Sequence, residues 1–128
     1  MTRSFSKQTG TIGENAAVTY LMSLGYKIIE RNVRLADGEI DVIAHLDGVT
    51  VFVEVKSRAY SSAARYGRAS NSVTYIKKKR FTNAVKEYQR SHPEAMRCRI
   101  DVVEVYFPRG ICEEMAEIKH IKSAFGES

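Results

Sequence analysis

Residues 38–56 read GEIDVIAHLDGVTVFVEVK, and this stretch decides the fold. Two apolar, β-prone runs, residues 42–44 and 51–53, lie on either side of the dipeptide Asp47-Gly48, which favours a tight turn between antiparallel strands. The stretch therefore predicts a β-hairpin of two central strands. Charged side chains interrupt both strands: Glu39 and Asp41 in the first, Glu54 and Lys56 in the second. Charges within such apolar runs require a physical explanation.

The charged residues of the two strands are predicted to lie together. Glu39 and Asp41 share one face of the first strand because side chains alternate along a strand. Glu54 and Lys56 share one face of the second, and antiparallel pairing allows Asp41 to face Glu54. An unpaired buried carboxylate is costly or takes up a proton, whereas a divalent cation between two carboxylates cancels much of that cost. Oxygen ligands suit Mg²⁺ or Mn²⁺ better than zinc, so the pattern predicts a metal site for phosphate chemistry, with exposed or salt-bridged strand residues as the alternative.

Further motifs flank this core along most of the chain. The ordered set comprises Gly10-x-x-Gly13-Glu14-x-x-Ala17, the segments 38–43 and 51–58, Val73-Thr74-x-x-Lys77 and Arg99-x-Asp101-Val102-Val103. This set resembles the bacterial YraN family, a Holliday-junction-resolvase-like branch of the PD-(D/E)XK restriction-endonuclease superfamily. Ile40 precedes Asp41 where the superfamily's name has proline.

The resemblance implies a restriction-endonuclease-like α/β sandwich and a metal-dependent nuclease that hydrolyses phosphodiester bonds. Asp41 and Glu54 would hold Mg²⁺ or Mn²⁺, with the Val55 carbonyl as a third ligand. Lys56 would orient the attacking water or help to deprotonate it. A bound divalent ion polarises the phosphoryl group, so the physical chemistry agrees with these roles. A plain salt bridge to Glu54 or Asp41 is the alternative for Lys56.

Glu14 and Glu39 each allow two interpretations. A helix predicted from Thr11 to Leu24 places Glu14 at the edge of its apolar stripe. From there Glu14 would contribute to the catalytic site, as the resemblance implies. The spacing Thr11-x-x-Glu14 equally matches a capping box at the start of that helix. Glu39 is either a further carboxylate of the site or an ion-pair partner for Lys56 or Arg58.

Positive charge is concentrated directly after the proposed catalytic motif. The formal net charge is +5, and residues 57–90 contain nine Lys and Arg against one Glu, so this region carries +8 and the remainder −3. Such an asymmetry is typical of a surface for nucleic acid, with a solvated helix face as the alternative. The predicted nucleic-acid contacts are Arg58, Arg65, Arg68, Lys77, Lys78 and Arg80.

The segment from Ser57 to Val73 is predicted to be a loop, and a helix from Thr74 to Ser91 follows it. Tyr60 and Tyr66 would stack on unpaired bases, or the loop is a disordered connection. Lys77 ends the inward stripe of the helix, while Lys78, Lys79 and Arg80 spread outward. Lys77 approaches a substrate phosphate, or it is a lysine at the rim of the core.

The remaining sequence predicts one domain over residues 1–128, with a central mixed sheet of four or five strands. The predicted order is αβββαβ plus a short C-terminal strand at 117–121. Asp101 is assigned a structural role, such as pairing with Arg99. The histidines (His45, His92 and His120) form no ligand cluster and are predicted at turns or on the surface.

No run approaches the roughly 18 apolar residues of a membrane span, and the first residues lack a signal-peptide core, so a cytoplasmic protein with no membrane partner is expected. The predicted partner is nucleic acid, DNA before RNA, and a homodimer is left open. The overall prediction is a nuclease, with a catalytically weak nucleic-acid-binding or partner-binding module on the same fold as the alternative.

Overall fold

The computed structural model describes residues 2–58 and 75–125, with the side chains of the first helix described from Gly10 onward. Two α-helices and five strands make up this part of the chain, together with two short 3₁₀ turns. The elements are α1 (Thr2–Ser23), β1 (Lys27–Arg34), β2 (Glu39–Leu46), β3 (Val49–Arg58), α2 (Tyr75–Ser91), β4 (Cys98–Tyr106) and β5 (Glu117–Ile121). The predicted order, αβββαβ with a short C-terminal strand, is confirmed.

The strands form one mixed sheet in the order β1-β2-β3-β4-β5. The pair β3 and β4 is parallel, and the other three pairs are antiparallel. A parallel pair requires a crossover connection, and α2 lies in that connection. The structure is therefore the predicted α/β sandwich with a central mixed sheet.

The hairpin between β2 and β3 forms as the sequence predicts. Leu46 pairs with Val49, so the loop contains only Asp47 and Gly48. Both loop residues have positive φ, 51° and 81° respectively. This is the requirement of a type I′ turn, whose twist matches that of the flanking strands. The turn fixes the register that brings the Asp41 end of β2 beside the Glu54 end of β3.

Each face of the sheet is covered by one helix. The apolar residues of α1, among them Ala17 and Leu21, pack with Val51 and Val53 of the sheet. On the other face, α2 packs against Ile43, Phe52 and Ile100. The inward residues of α2 are Phe81, Ala84, Val85 and Tyr88, as the periodicity predicts. Charged groups that project from β3 toward α2 therefore lie in a cleft between sheet and helix.

The start of α1 was predicted wrongly. The helix begins at Thr2, not at Thr11, and it continues through Gly10 and Gly13. A β-carbon on Gly13 would lie 1.8 Å from Ser57 Oγ, so glycine lets α1 approach β3 closely. Because Thr11 lies inside the helix, the capping-box interpretation of Glu14 is wrong. Within the described residues, neither helix is long and apolar enough to cross a lipid bilayer.

Candidate metal site and nucleic-acid interface

Asp41 lies at the point where β2 and β3 stop pairing. The ladder between the two strands ends at Val42 and Val53. Beyond it, the backbone N–H of Val55 donates a hydrogen bond of 2.7 Å to Asp41 Oδ2. If the ladder continued, the N–H group of Val55 would pair with a backbone carbonyl; here the Asp41 side chain accepts its hydrogen bond instead. This holds the carboxylate of Asp41 beside Glu54 and Val55.

The environment of Asp41 opposes its negative charge. Burial raises the pKa of Asp41 to about 7, even though the hydrogen bond from Val55 acts to lower it. The nearby carboxylates of Glu54, Glu14 and Glu39 raise the pKa further. A concentration of negative charge around a half-buried carboxylate is an arrangement that a bound cation relieves.

Glu54 and Lys56 form an ion pair within β3. Lys56 Nζ lies 3.4 Å from Glu54 Oε2, and the side chains are only 11% and 18% exposed. Both alternate with Val53 and Val55, so they project toward α2 on the same face as Phe52. The predicted salt bridge of Lys56 is thus present, and it leaves the ammonium group beside the carboxylate pair.

A groove of about 230 Å³ brings these carboxylates to the cations of α2. Asp41 and Glu54 lie on the sheet side, and Lys77 and Arg80 lie on the helix side. Lys77 is placed as the sequence predicts. Arg80 was predicted to point outward with its neighbours, but it lines the groove because it is one turn of helix from Lys77. The remaining lining residues are Asp37, Gly38, Glu39 and Phe81.

Glu14 is held by a basic side chain on β1. Its Oε1 atom accepts hydrogen bonds of 2.8 Å from Arg31 and 3.0 Å from Asn32 Nδ2. Arg31 also donates to Asn15, so the guanidinium ties α1 to β1. The charge of Glu14 is felt at Asp41, but its carboxylate is bound by this clamp.

Glu39 and the predicted basic contacts Arg58 and Lys78 each have a different partner in the structure. The ion-pair partner of Glu39 is Arg34, at 3.8 Å, and not the predicted Lys56 or Arg58. Arg58 ends β3 and donates a hydrogen bond to the carbonyl of Ser57. Lys78 lies over the ring of Phe125, away from the acidic groove. The predicted contacts Arg65 and Arg68, with Tyr60 and Tyr66, lie outside the described residues.

The oxygen atoms of the site suit a hard cation that takes only a few of its ligands from the protein. Among residues 2–58 and 75–125, no three His, Cys, Asp or Glu side chains group together as a complete metal cage. Asp41 and Glu54 offer two carboxylates in the groove, and Val55, whose carbonyl is the predicted third ligand, is hydrogen-bonded to Asp41 through its N–H. Mg²⁺ is typically bound by one or two carboxylates and shares its other positions between water and substrate phosphates. The residues present therefore fit Mg²⁺ or Mn²⁺ in an open site.

One buried charge near the site was missed by the sequence analysis. Glu104 is 1% exposed in β4, and it is the parallel register partner of Lys56. Tyr106 donates a hydrogen bond of 3.0 Å to its Oε1 atom. The signal was available, because Glu104 interrupts the apolar run of β4 as Glu54 interrupts that of β3. A carboxyl group is therefore the register partner of Lys56 on the neighbouring strand, in addition to Glu54 on its own strand.

Asp101 has the structural role that the sequence predicts. It is fully buried and accepts hydrogen bonds from Arg99, His120 and the backbone N–H of Ser123. Burial acts to raise the pKa of Asp101, but the hydrogen bonds from His120, Arg99 and Ser123 outweigh it and hold the pKa below its ordinary range. His120 was predicted at a turn or on the surface, whereas its side chain is buried between Asp101 and Tyr20.

Comparison with known proteins gives consistent matches along the chain. The model of the Uncharacterised protein family UPF0102 matches residues 13–105. A UPF0102 protein of Symbiobacterium thermophilum is 46% identical over 101 residues, which cover 78% of this chain and 83% of that protein. A UPF0102 protein of Clostridioides difficile is 40% identical over 121 residues, covering 94% and 98%.

One solved structure, that of Pyrococcus furiosus SfsA in complex with Ca²⁺, shows a distant likeness. Its TM-score is 0.38 and its sequence identity 15%. The match covers 97% of this chain and 65% of the SfsA chain. A likeness of this extent supports no statement about function.

Proposed function

The chain belongs to UPF0102, the YraN family, and we propose that it is a metal-dependent nuclease that hydrolyses phosphodiester bonds in nucleic acid. The observation that carries the proposal is the groove in which Asp41 and Glu54 face Lys77 and Arg80. The carboxylates suit a divalent cation, and the cations of α2 suit the phosphates of a substrate. A metal-assisted site for phosphodiester hydrolysis uses a bound divalent cation beside the substrate phosphate, so the two kinds of group suit this reaction when they lie together.

Each side chain has a definite task in this proposal. Asp41, Glu54 and the Val55 carbonyl would hold Mg²⁺ or Mn²⁺, and the bound ion would supply positive charge next to the phosphoryl oxygens and the leaving group. Lys56 lies beside Glu54 and adds positive charge where negative charge develops on the phosphate, and it orients the attacking water. Lys77 and Arg80 bind neighbouring phosphates and fix the substrate across the groove.

Glu14 acts on the site from a distance in this account. The clamp of Arg31 and Asn32 fixes the carboxylate at the packing contact between α1 and β1. Its negative charge nevertheless reaches Asp41. Glu14 therefore strengthens cation binding through its field and supports the position of α1, without binding the cation directly.

DNA is the proposed substrate before RNA, because the family resemblance is to DNA endonucleases. A cytoplasmic location is part of the same proposal. A homodimer would allow two strands to be cut, and it remains part of the proposal.

A second candidate function is a nucleic-acid-binding module with negligible turnover. The observation that favours it is the ion pair between Lys56 and Glu54, in which the ammonium group of the lysine, and not a metal ion, balances the charge of the carboxylate. Such a protein would keep the basic groove wall of Lys77 and Arg80 and would bind nucleic acid equally well with or without Mg²⁺.

Cleavage of a panel of labelled substrates distinguishes the two functions. The panel contains branched, single-stranded and duplex DNA and RNA, each with Mg²⁺ or Mn²⁺ at matched salt. The nuclease proposal predicts that wild type cuts one class and that Glu54→Gln still binds this class without cutting it. Glu94→Gln is the matched control, because Glu94 is an exposed carboxylate outside the groove. If no substrate is cut while wild type and Glu54→Gln bind equally, the binding-module function is supported instead.

A further inference from the structure

A second groove runs along a different edge of α2 from the acidic groove. One part, of about 230 Å³, is lined by Tyr75, Lys78, Lys79 and Lys86 among others. A second part, of about 590 Å³, extends toward Met96 and Ile100. The two parts share Thr82, Lys86 and Phe125, so they are continuous. We call this continuous surface the far groove.

The far groove carries positive charge without opposing carboxylates. Lys78, Lys79 and Lys86 line it and are all exposed. None of the described residues that line its two parts is acidic. Glu87 is the one carboxylate in the sequence of α2, and it accepts a hydrogen bond from the backbone N–H of Ala36, outside the groove. The surface is therefore complementary to a polyanion.

The far groove also exposes apolar and aromatic surface. Tyr75 is 75% exposed and Met96 is 63% exposed. Phe125 forms part of the floor, and Lys78 Nζ lies 5.9 Å from the centre of its ring. The exposed ring of Tyr75, beside the lysines, offers a stacking surface next to phosphate contacts, and the half-buried ring of Phe125 adds apolar surface. An unpaired nucleic-acid strand presents both phosphates and base faces, whereas the bases of a duplex are stacked on each other and unavailable for such stacking.

We infer that the far groove binds an unpaired strand of the nucleic-acid substrate. This inference rests on the proposed function, because it concerns a second segment of the same substrate. Lys78 and Lys86 are eight residues apart, which corresponds to about 12 Å along the helix axis. At the 3.4 Å spacing of a duplex strand this distance spans about three nucleotides, and a more extended unpaired strand would place fewer nucleotides between the two lysines. The substrate class is therefore one that has a single-stranded segment next to the cleavage site.

Binding measurements without metal separate this inference from cleavage. Fluorescence anisotropy of a labelled oligothymidylate of about ten nucleotides, in EDTA, reports the affinity at several salt concentrations. Removal of two phosphate contacts by the double substitution Lys78→Ala and Lys86→Ala should lower the slope of log K against log salt by about 1.4. Tyr75→Ala should weaken binding of the oligothymidylate about fivefold or more, and should leave duplex of the same length unchanged.

The matched control removes two exposed cations elsewhere, by Lys27→Ala and Arg109→Ala. The inference requires that this control retain the wild-type affinity and salt slope. The inference is overturned if the double variant of Lys78 and Lys86 binds the oligothymidylate as wild type does, while Lys77→Ala weakens binding. That result would leave the nuclease proposal intact. Equal losses for duplex and single strand would overturn the unpaired-strand assignment. If wild type binds no nucleic acid, the inference and the proposed function both fail.

Discussion

The carboxyl group of Asp41 should make the metal-free protein less stable as the pH rises from about 4 to about 7. Its folded-state pKa is raised to about 7, mainly by burial and then by the surrounding carboxylates, whereas an unfolded Asp titrates near 3.9. Between these values the folded state binds a proton that the unfolded state does not, so stability falls with increasing pH. A rise of about 3 in pKa corresponds to about 4 kcal/mol, lost progressively across this interval.

The substitution Asp41→Asn removes this titration and keeps the packing. The amide oxygen of asparagine can still accept the hydrogen bond from Val55 N–H. The variant should match wild type in stability near pH 4 and exceed it at pH 8 by up to about 4 kcal/mol. Urea unfolding in EDTA, at several pH values over this range, measures the difference between the two proteins.

Asp37→Asn is the control, because Asp37 is an exposed carboxylate that lines the same groove. The difference in stability between this control and wild type should not change with pH. Parallel stability curves for wild type and Asp41→Asn would refute the argument, and so would an Asn variant that is less stable than wild type at pH 8. Added Mg²⁺ should stabilise wild type at pH 8 and should have little effect on Asp41→Asn.

Two further predictions concern the framework of the site. Gly13→Ala should destabilise the protein by about 1–3 kcal/mol in urea unfolding, because the new β-carbon would lie 2.8 Å from Ser57 Cβ. In contrast, Gly10→Ala should stabilise α1 by up to about 1 kcal/mol, because no atom lies within 4 Å of its new β-carbon. Equal effects of the two substitutions would contradict the packing of α1 on β3. Asp101→Ala should cost about 3 kcal/mol, because it removes a fully buried carboxylate that pairs with the half-buried Arg99 and with His120, and a loss below about 1 kcal/mol would contradict the role of this network.

The hairpin and its charged residues could be predicted because their signals are local. Asp47-Gly48 specifies the turn, and the turn specifies the register of β2 and β3. Glu54 and Lys56 stand out because they interrupt an apolar strand, and they do lie on one face of it. The alternation of side chains along a strand and the residue preferences of a tight turn involve only neighbouring residues, so both can be predicted from one sequence.

The features that were missed depend on packing between distant segments. The clamp of Arg31 on Glu14 forms only when α1 packs against β1, and no local pattern indicates it. The early start of α1 was hidden because Gly10 and Gly13 are weak helix formers, while the close approach to Ser57 that explains Gly13 is a tertiary contact. Arg80 was assigned outward from its position in a basic run, although the cleft beside the sheet is wide enough to include it.

Asp41 and Glu54 are proposed to hold a divalent cation beside a phosphate-binding groove. Binding of Mn²⁺ to the purified protein is the most direct test of this metal site. Electron paramagnetic resonance would measure free and bound Mn²⁺ for wild type, Glu54→Gln and the control Glu94→Gln, each with bound oligonucleotide. If Asp41 and Glu54 hold the cation, wild type and the control bind Mn²⁺ alike, and Glu54→Gln binds it about tenfold or more weakly. Equal affinity of all three proteins for Mn²⁺, or no binding by wild type, would contradict the account.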